Sequence, residues 1–358
     1  MATIYLDTSV AINESFLKSP FVEAFLKGCA ILQHTVVIPH IVLDELKGNF
    51  PKKIQEKSLS LQKVGNDLGK LIDIELPAVS IKDAATGYAT WLENLIEDHK
   101  IAIVPYPDIS PQELVVKSYE TKKPFKESGE GYKDYIVWKT ILGSINSDTT
   151  TSSFIFLTNN TKDFCETCQV GDYVLHKELA IQVADPAKKP KIYTSVKAAF
   201  DKELSPSLEG MALEDIPALE NDIDSIVGEF LLDDLPQMSL YRLDGLPFND
   251  EFSISSIGAH TVNAVNLKKV GDEVIITVNG NVEIEADGFI DKFSFYQHED
   301  AKVNIFVIDG NWNDHVMWVS ATIETPFELT MFYSTIEQEV TGREISLLDE
   351  IEDEWPYK

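Results

Sequence analysis

The hydrophobic pattern of this chain changes period once, and that change divides what it can fold into. Over roughly the first 180 residues, short apolar runs alternate with helix-sized segments. The candidate strands are 3–6, 35–39, 101–104, 154–158 and 172–175. Between them, 53–72 and 80–98 carry Ile, Leu, Ala and Trp at helical spacing, and 133–142 reads as a further helix ending at Gly143. Such alternation predicts an α/β domain with a mostly parallel sheet flanked by helices. From about residue 250 the period becomes two: Val274, Ile276 and Val278 alternate with Ile275, Thr277 and Asn279, and Val282, Ile284 and Ala286 follow. This predicts an antiparallel β-rich, sandwich-like domain. Asn279-Gly280 is expected to form a hairpin turn, because both central residues of that tight turn need positive φ, and Asp309-Gly310-Asn311 a second turn. Phe306, Trp312, Trp318 and Phe332 are expected in the β core.

At 358 residues the chain is long for one core and comfortable for two. The expected division is 1–184 for the α/β domain, 185–249 for a helical acidic linker, 250–343 for the β-rich domain and 344–358 for an acidic tail. Charge follows the same division. Residues 1–200 hold 22 Lys and Arg against 25 Asp and Glu, so 26 of the 29 net negative charges lie beyond them. A net charge of this sign opposes long-range attraction of the whole molecule to a polyanion but leaves room for a local basic groove. Lys47, Lys52, Lys53, Lys57 and Lys63 form one lysine-rich stretch with a single acid, Glu56, and Lys117, Lys122, Lys123, Lys126 and Lys133 a second. The first is the better candidate for phosphate contact.

Met1 leads directly into a strand ending at Asp7, without the basic and apolar regions of a signal peptide, and no apolar run is long enough to span a bilayer. The three cysteines are an odd count that suits a reducing compartment. The expectation is a cytoplasmic protein without membrane contact. Cys165-Glu166-Thr167-Cys168 has the spacing of a zinc or redox pair, but no second Cys pair accompanies it, so ordinary thiols are expected.

The chemistry lies in four acidic motifs. Asp7 ends the first strand, Glu45 follows the second at the start of a helix, Asp134 opens another helix, and Asn160 and Asp163 follow the strand Phe154-Ile155-Phe156-Leu157. Strand ends on one edge of a parallel sheet converge on a crevice, so residues distant in sequence can meet there. Carboxylates gathered in that way repel unless a divalent cation neutralises them, and hard oxygen ligands favour Mg²⁺ or Mn²⁺ over zinc.

Ile4-Tyr5-Leu6-Asp7-Thr8-Ser9, the segment Val36 to Glu45, Ser128-Gly129-Glu130-Gly131-Tyr132-Lys133-Asp134-Tyr135 and Phe156-Leu157-Thr158-Asn159-Asn160-Thr161-Lys162-Asp163-Phe164 resemble, in order and spacing, the four motifs of PIN-domain ribonucleases. The resemblance covers residues 1 to about 180. It implies a metal site of Asp7, Glu45 and Asp134 with Asn160 or Asp163 as the fourth member, and catalysis by Asp7, Glu45, Asp134 and Asp163. Many relatives have Asp where Asn160 stands, which implies a weaker hold on a metal here. Thr8 and Thr158 would orient a ligand carboxylate or water, or cap a helix, and Lys47, Lys52, Lys53 and Lys133 would hold an RNA backbone. The implied reaction is hydrolysis of single-stranded or structured RNA by metal-activated water, leaving a 3′-hydroxyl and a 5′-phosphate. The resemblance also suggests a homodimer, and roles in RNA turnover, as a toxin or in phage defence. The acidic C-terminal domain is expected to regulate access or to recruit a protein partner. The alternative is a catalytically weak PIN-fold scaffold that binds proteins.

Overall fold

The computed structural model describes residues 1–150, 153–166, 173–220, 222–241, 251–297 and 305–348. The chain divides into two compact units, Met1–Leu208 and Glu209–Lys358.

In the first unit, β1 (Ala2–Leu6), β2 (Thr35–Pro39), β3 (Ala102–Val104), β4 (Ser153–Leu157) and β5 (Lys191–Tyr193) form one sheet in the order β3-β2-β1-β4-β5, with every pairing parallel. The apolar runs Ala-Thr-Ile-Tyr-Leu and Ser-Phe-Ile-Phe-Leu are buried almost throughout, as expected of strands covered on both faces. The helices that bear on the site and its sheet are α1 (Thr8–Asn13), α2 (Pro20–Ile31), α3 (His40–Leu68), α4 (Ile81–Asp98), α5 (Pro111–Glu120), α6 (Tyr132–Ser147) and α7 (Thr161–Phe164), with short helices at Lys177–Ala180 and Val196–Ala199. Ser19, Ser80 and Ser110 start α2, α4 and α5 by accepting a backbone N–H from Val22, Asp83 and Glu113. Strand order reverses between β1 and β4, and in open α/β sheets such a switch point is where ligands bind.

Three local expectations change. The last strand is 191–193 and not 172–175, where Leu175 makes only a bridge with Cys165 and 167–172 lie outside the described residues. Helix α3 runs unbroken from His40 through Pro51, which removes one backbone donor without ending the helix. Helix α6 continues past Gly143 to Ser147. Cys29 and Cys165 are buried thiols, and Cys168 is outside the described residues. No helix among the described residues is long and apolar enough to cross a membrane.

The second unit is antiparallel β. Strands β6 (Glu209–Met211), β7 (Ser239–Tyr241), β8 (Glu251–Val270), β9 (Glu273–Asp291), β10 (Ile305–Asp309), β11 (Val316–Ser334) and β12 (Glu339–Leu347) are hydrogen-bonded into one seven-stranded sheet built around β8, β9 and β11. The even-numbered residues of β9, from Val274 to Ile290, are buried and form the core with Val227 and Leu231 of the helix Ile223–Asp234.

Asn279-Gly280 is not a turn. Both residues lie inside β9, paired to β8 and β11. Gly280 is there for close approach, since a Cβ would stand 2.1 Å from the Thr261 carbonyl oxygen and 2.7 Å from the Phe327 ring. The β8–β9 hairpin turns at Gly271-Asp272, with Gly271 at φ +63°, while Gly310 and Asn311 do turn the chain between β10 and β11. Phe332 is buried as expected, but Phe306 and Trp312 are 64% and 53% exposed. The odd-numbered side of β9 and its neighbours face away from the core, and hydrophobicity alone does not tell the two faces apart.

Candidate active site

Asp7 follows β1 directly, and its backbone N–H donates to the Leu157 carbonyl at 2.9 Å, tying it to the end of β4 across the switch point. It occupies the N-cap position of α1 but makes no side-chain cap bond there. Its Oδ2 instead accepts from Ser9 Oγ at 2.6 Å and Thr158 Oγ1 at 2.8 Å. Ser9 Oγ also accepts the Asn159 backbone N–H at 2.9 Å, so one hydroxyl couples the two loops.

Glu45 reaches the same crevice from the second turn of α3. Thr8 Oγ1 donates to its Oε2 at 2.6 Å, and Lys133 Nζ sits 2.8 Å from Oε1. Asp134 is in the first turn of α6, whose N-cap is Gly131 at φ +118°. A Cβ on Gly131 would lie 2.6 Å from the Pro124 carbonyl oxygen, so conformation and space both call for glycine. Asn160 Nδ2 donates to Asp134 Oδ1 at 2.9 Å, and its backbone N–H donates to Thr158 Oγ1 at 3.1 Å. Asp163, in α7, is 2% exposed and has Lys123 and Lys126 ammonium groups each 3.7 Å from its carboxylate.

The electrostatics follow from the convergence. Asp134 is pushed up to about 6, first by burial, then by the negative charges of Asp7, Asp163 and Glu45, against which the Asn160 hydrogen bond works. Asp7 is also raised, by burial and by Glu45, despite the bonds from Ser9 and Thr158. Carboxylates that destabilise one another while buried are costly to keep and are a mark of a functional site. Among the described residues no three His, Cys, Asp or Glu side chains are grouped closely enough to hold a metal ion, and each acid of the crevice is engaged by a hydroxyl, an amide or a lysine. As a donor set, these crowded oxygens with raised affinities for a proton suit a hard divalent cation, which relieves the same repulsion.

The structure thus brings together Asp7, Thr8, Glu45, Lys133, Asp134, Thr158, Asn160 and Asp163. It does not bring in every lysine expected there. Lys47 is turned to α4, 3.2 Å from Glu93, and Lys53 pairs with Glu56. Lys52, seven residues from Glu45 and so on its helix face, stays near Asn49. The residues missed are Ser9, which stands inside the first motif, and Lys123 and Lys126, which belong to the second lysine-rich stretch. Lys123 also lines a cavity of about 530 Å³ with Lys117, Lys122 and Lys139.

The sequence model of the PIN domain matches residues 4–164, the segment that holds all four motifs. That segment is a PIN domain. PIN domains are in general divalent-metal-dependent nucleases that act on RNA, and the match ends at Phe164, leaving the second unit unassigned. No curated protein and no solved structure matches the chain.

Proposed function

We propose that the chain is a metal-dependent endoribonuclease that hydrolyses RNA phosphodiesters at the crevice between β1 and β4. The observation that carries this reading is the meeting of four acids from four separate elements, two of them with raised affinity for protons. Asp7, Glu45 and Asp134 would hold Mg²⁺ or Mn²⁺, with Asn160 or Asp163 as the fourth member. When bound, such an ion lowers the pKa of water and stabilises charge growing on the phosphate.

The remaining work falls to the chain. Thr158 and Ser9 fix the Asp7 carboxylate, and Thr8 fixes that of Glu45. Lys133, beside Glu45, would meet a phosphate oxygen. Lys52 would extend contact along the RNA backbone, and Lys47 and Lys53 would join it only on leaving Glu93 and Glu56. A cytoplasmic setting, a homodimer and control of access or partner recruitment by the acidic second unit belong to the same reading.

One observation favours a second reading, a protein-binding PIN scaffold: Asn160 directs its amide N–H₂ at Asp134 and so presents a donor, not a further carboxylate, to that acid. Cleavage of 5′-labelled single-stranded RNA separates the two. The nuclease cuts with Mn²⁺ or Mg²⁺, stops in EDTA and fails as Asp7→Asn, whereas the scaffold leaves RNA intact under all these conditions. A fragment ending at Leu208, the limit of the first unit, keeps β5 and tests control by the acidic half. Faster cutting by the fragment supports such control, and equal rates remove it.

A further inference from the structure

Three aromatic rings stand together on the second unit's sheet, on the side away from its core. Residues 283, 285, 287, 289 and 291 of β9 point opposite to the buried even-numbered set. Register places Trp318 of β11 beside Phe289, and Trp312, from the turn before β11, closes on both. Ring centroids are 5.0 Å apart for Phe289–Trp312, 6.3 Å for Phe289–Trp318 and 6.0 Å for Trp312–Trp318. Phe289 and Trp312 are exposed, and Phe306 of β10 adds another exposed ring two residues along the same side. A contiguous exposed aromatic group is a liability in water and marks a contact surface.

The charges around these rings say what they meet. Glu283, Glu285 and Asp287 lie in line with Phe289 on β9, Glu324 stands opposite Glu283, and Asp309 is paired with Trp318. Glu285 is fixed by Ser256 and Ser320 hydroxyls at 3.0 and 3.1 Å. Base-stacking platforms carry basic side chains for the phosphates; here carboxylates outnumber Lys292, whose ammonium is held by the Asn313 carbonyl at 2.7 Å, so a nucleic acid is repelled. The chain's own residues 349–354 hold five acids in six positions and no basic residue, so they lack the charge this surface calls for. Ring faces and carboxylates attract the same thing, a cation with an apolar stem.

We propose that this surface docks a basic, arginine- or lysine-rich segment of another protein, with cationic side chains over Trp312 and Phe289 and paired to Glu283 and Asp287. The test titrates the full chain, by tryptophan fluorescence and calorimetry, with an arginine-rich dodecapeptide, the same peptide with every Arg replaced by Glu, and a 12-nucleotide single-stranded RNA. Trp312→Ala and the double variant Glu283→Gln, Asp287→Asn are run beside it, with unfolding curves to establish that each is folded. The arginine peptide should bind, the glutamate peptide should not, and affinity should fall at least tenfold in both variants. Equal affinity in Trp312→Ala would reduce the effect to diffuse attraction by net charge and overturn the proposal. So would absence of peptide binding, or RNA binding that depends on Trp312.

Discussion

In the first unit, Asp7, Glu45, Asp134 and Asp163 converge at the edge of a parallel sheet, where burial and mutual repulsion raise Asp7 and Asp134. In the second, Glu283, Glu285, Asp287 and Glu324 stand in rows on the outer face of an antiparallel sheet, and water solvates most of them. Topology makes the difference. Parallel strands end on the same side, so residues that follow β1, β2 and β4 gather at one crevice. Paired antiparallel strands instead set side chains at fixed intervals across a surface, where acids are spread and rings can lie between them. One arrangement concentrates charge in a crevice, and the other spreads it over a surface.

The largest effect should come from breaking the convergence. Asp7→Asn and Asp134→Asn are expected to lower RNA cleavage by at least about 100-fold, since each removes an oxygen donor from the centre. A conservative acid change on the second unit, Glu324→Gln, should leave the rate unchanged. Cleavage of a labelled RNA by all three, with Mn²⁺, measures this contrast.

Next comes the backbone that sets Asp134. Gly131→Ala places a methyl group against the Pro124 carbonyl in a conformation that disfavours it, and should cost about 3 kcal/mol in chemical unfolding. Gly271→Ala, also at positive φ but with open space around it, should cost about 1 kcal/mol. Equal losses would mean that the close packing at Gly131 is not what holds the α6 start.

The electrostatic cost of the centre gives a smaller effect of opposite sign. With its carboxyl raised from 3.8 to about 6 in the fold, Asp134 binds its proton more tightly folded than unfolded. Metal-free stability should therefore be fully supported below about 4 and decline as pH rises towards 6. In EDTA, Asp134→Asn should match the wild type near pH 4 and exceed it by about 1–3 kcal/mol at pH 7. A variant less stable at pH 7 would deny that the carboxylates repel. The smallest expected change is in RNA binding: Lys52→Ala should reduce the slope of log affinity against log salt by about 0.7, and a slope equal to wild type would remove Lys52 from the interface.

Much of this contrast was legible in the sequence. Strands β1, β2 and β4 are apolar runs of five residues, and each acidic motif follows one or opens a helix, which is what the four-motif resemblance to PIN domains reads. Strand β5 was not legible, because only Ile192 of its three residues is buried and Lys191 follows a proline. Asn279-Gly280 misled because a glycine demanded by a neighbouring backbone carries the same letter as one demanded by a turn. Trp312 and Phe306 misled because ring size signals burial only when the face is known, and β9's alternation continued to Asp291 supplies the face. Composition announced Lys123 and Lys126 but not that both would turn to Asp163, a contact made across 40 and 37 residues of chain.

The most direct measurement of the central claim is calorimetric titration of the full chain with Mn²⁺, beside Asp134→Asn and Glu324→Gln. Saturable binding that is lost or weakened at least tenfold in Asp134→Asn and kept in Glu324→Gln is the expected result. Binding that survives Asp134→Asn, or no binding by the wild type, would contradict a metal centre built by the converging acids of the first unit.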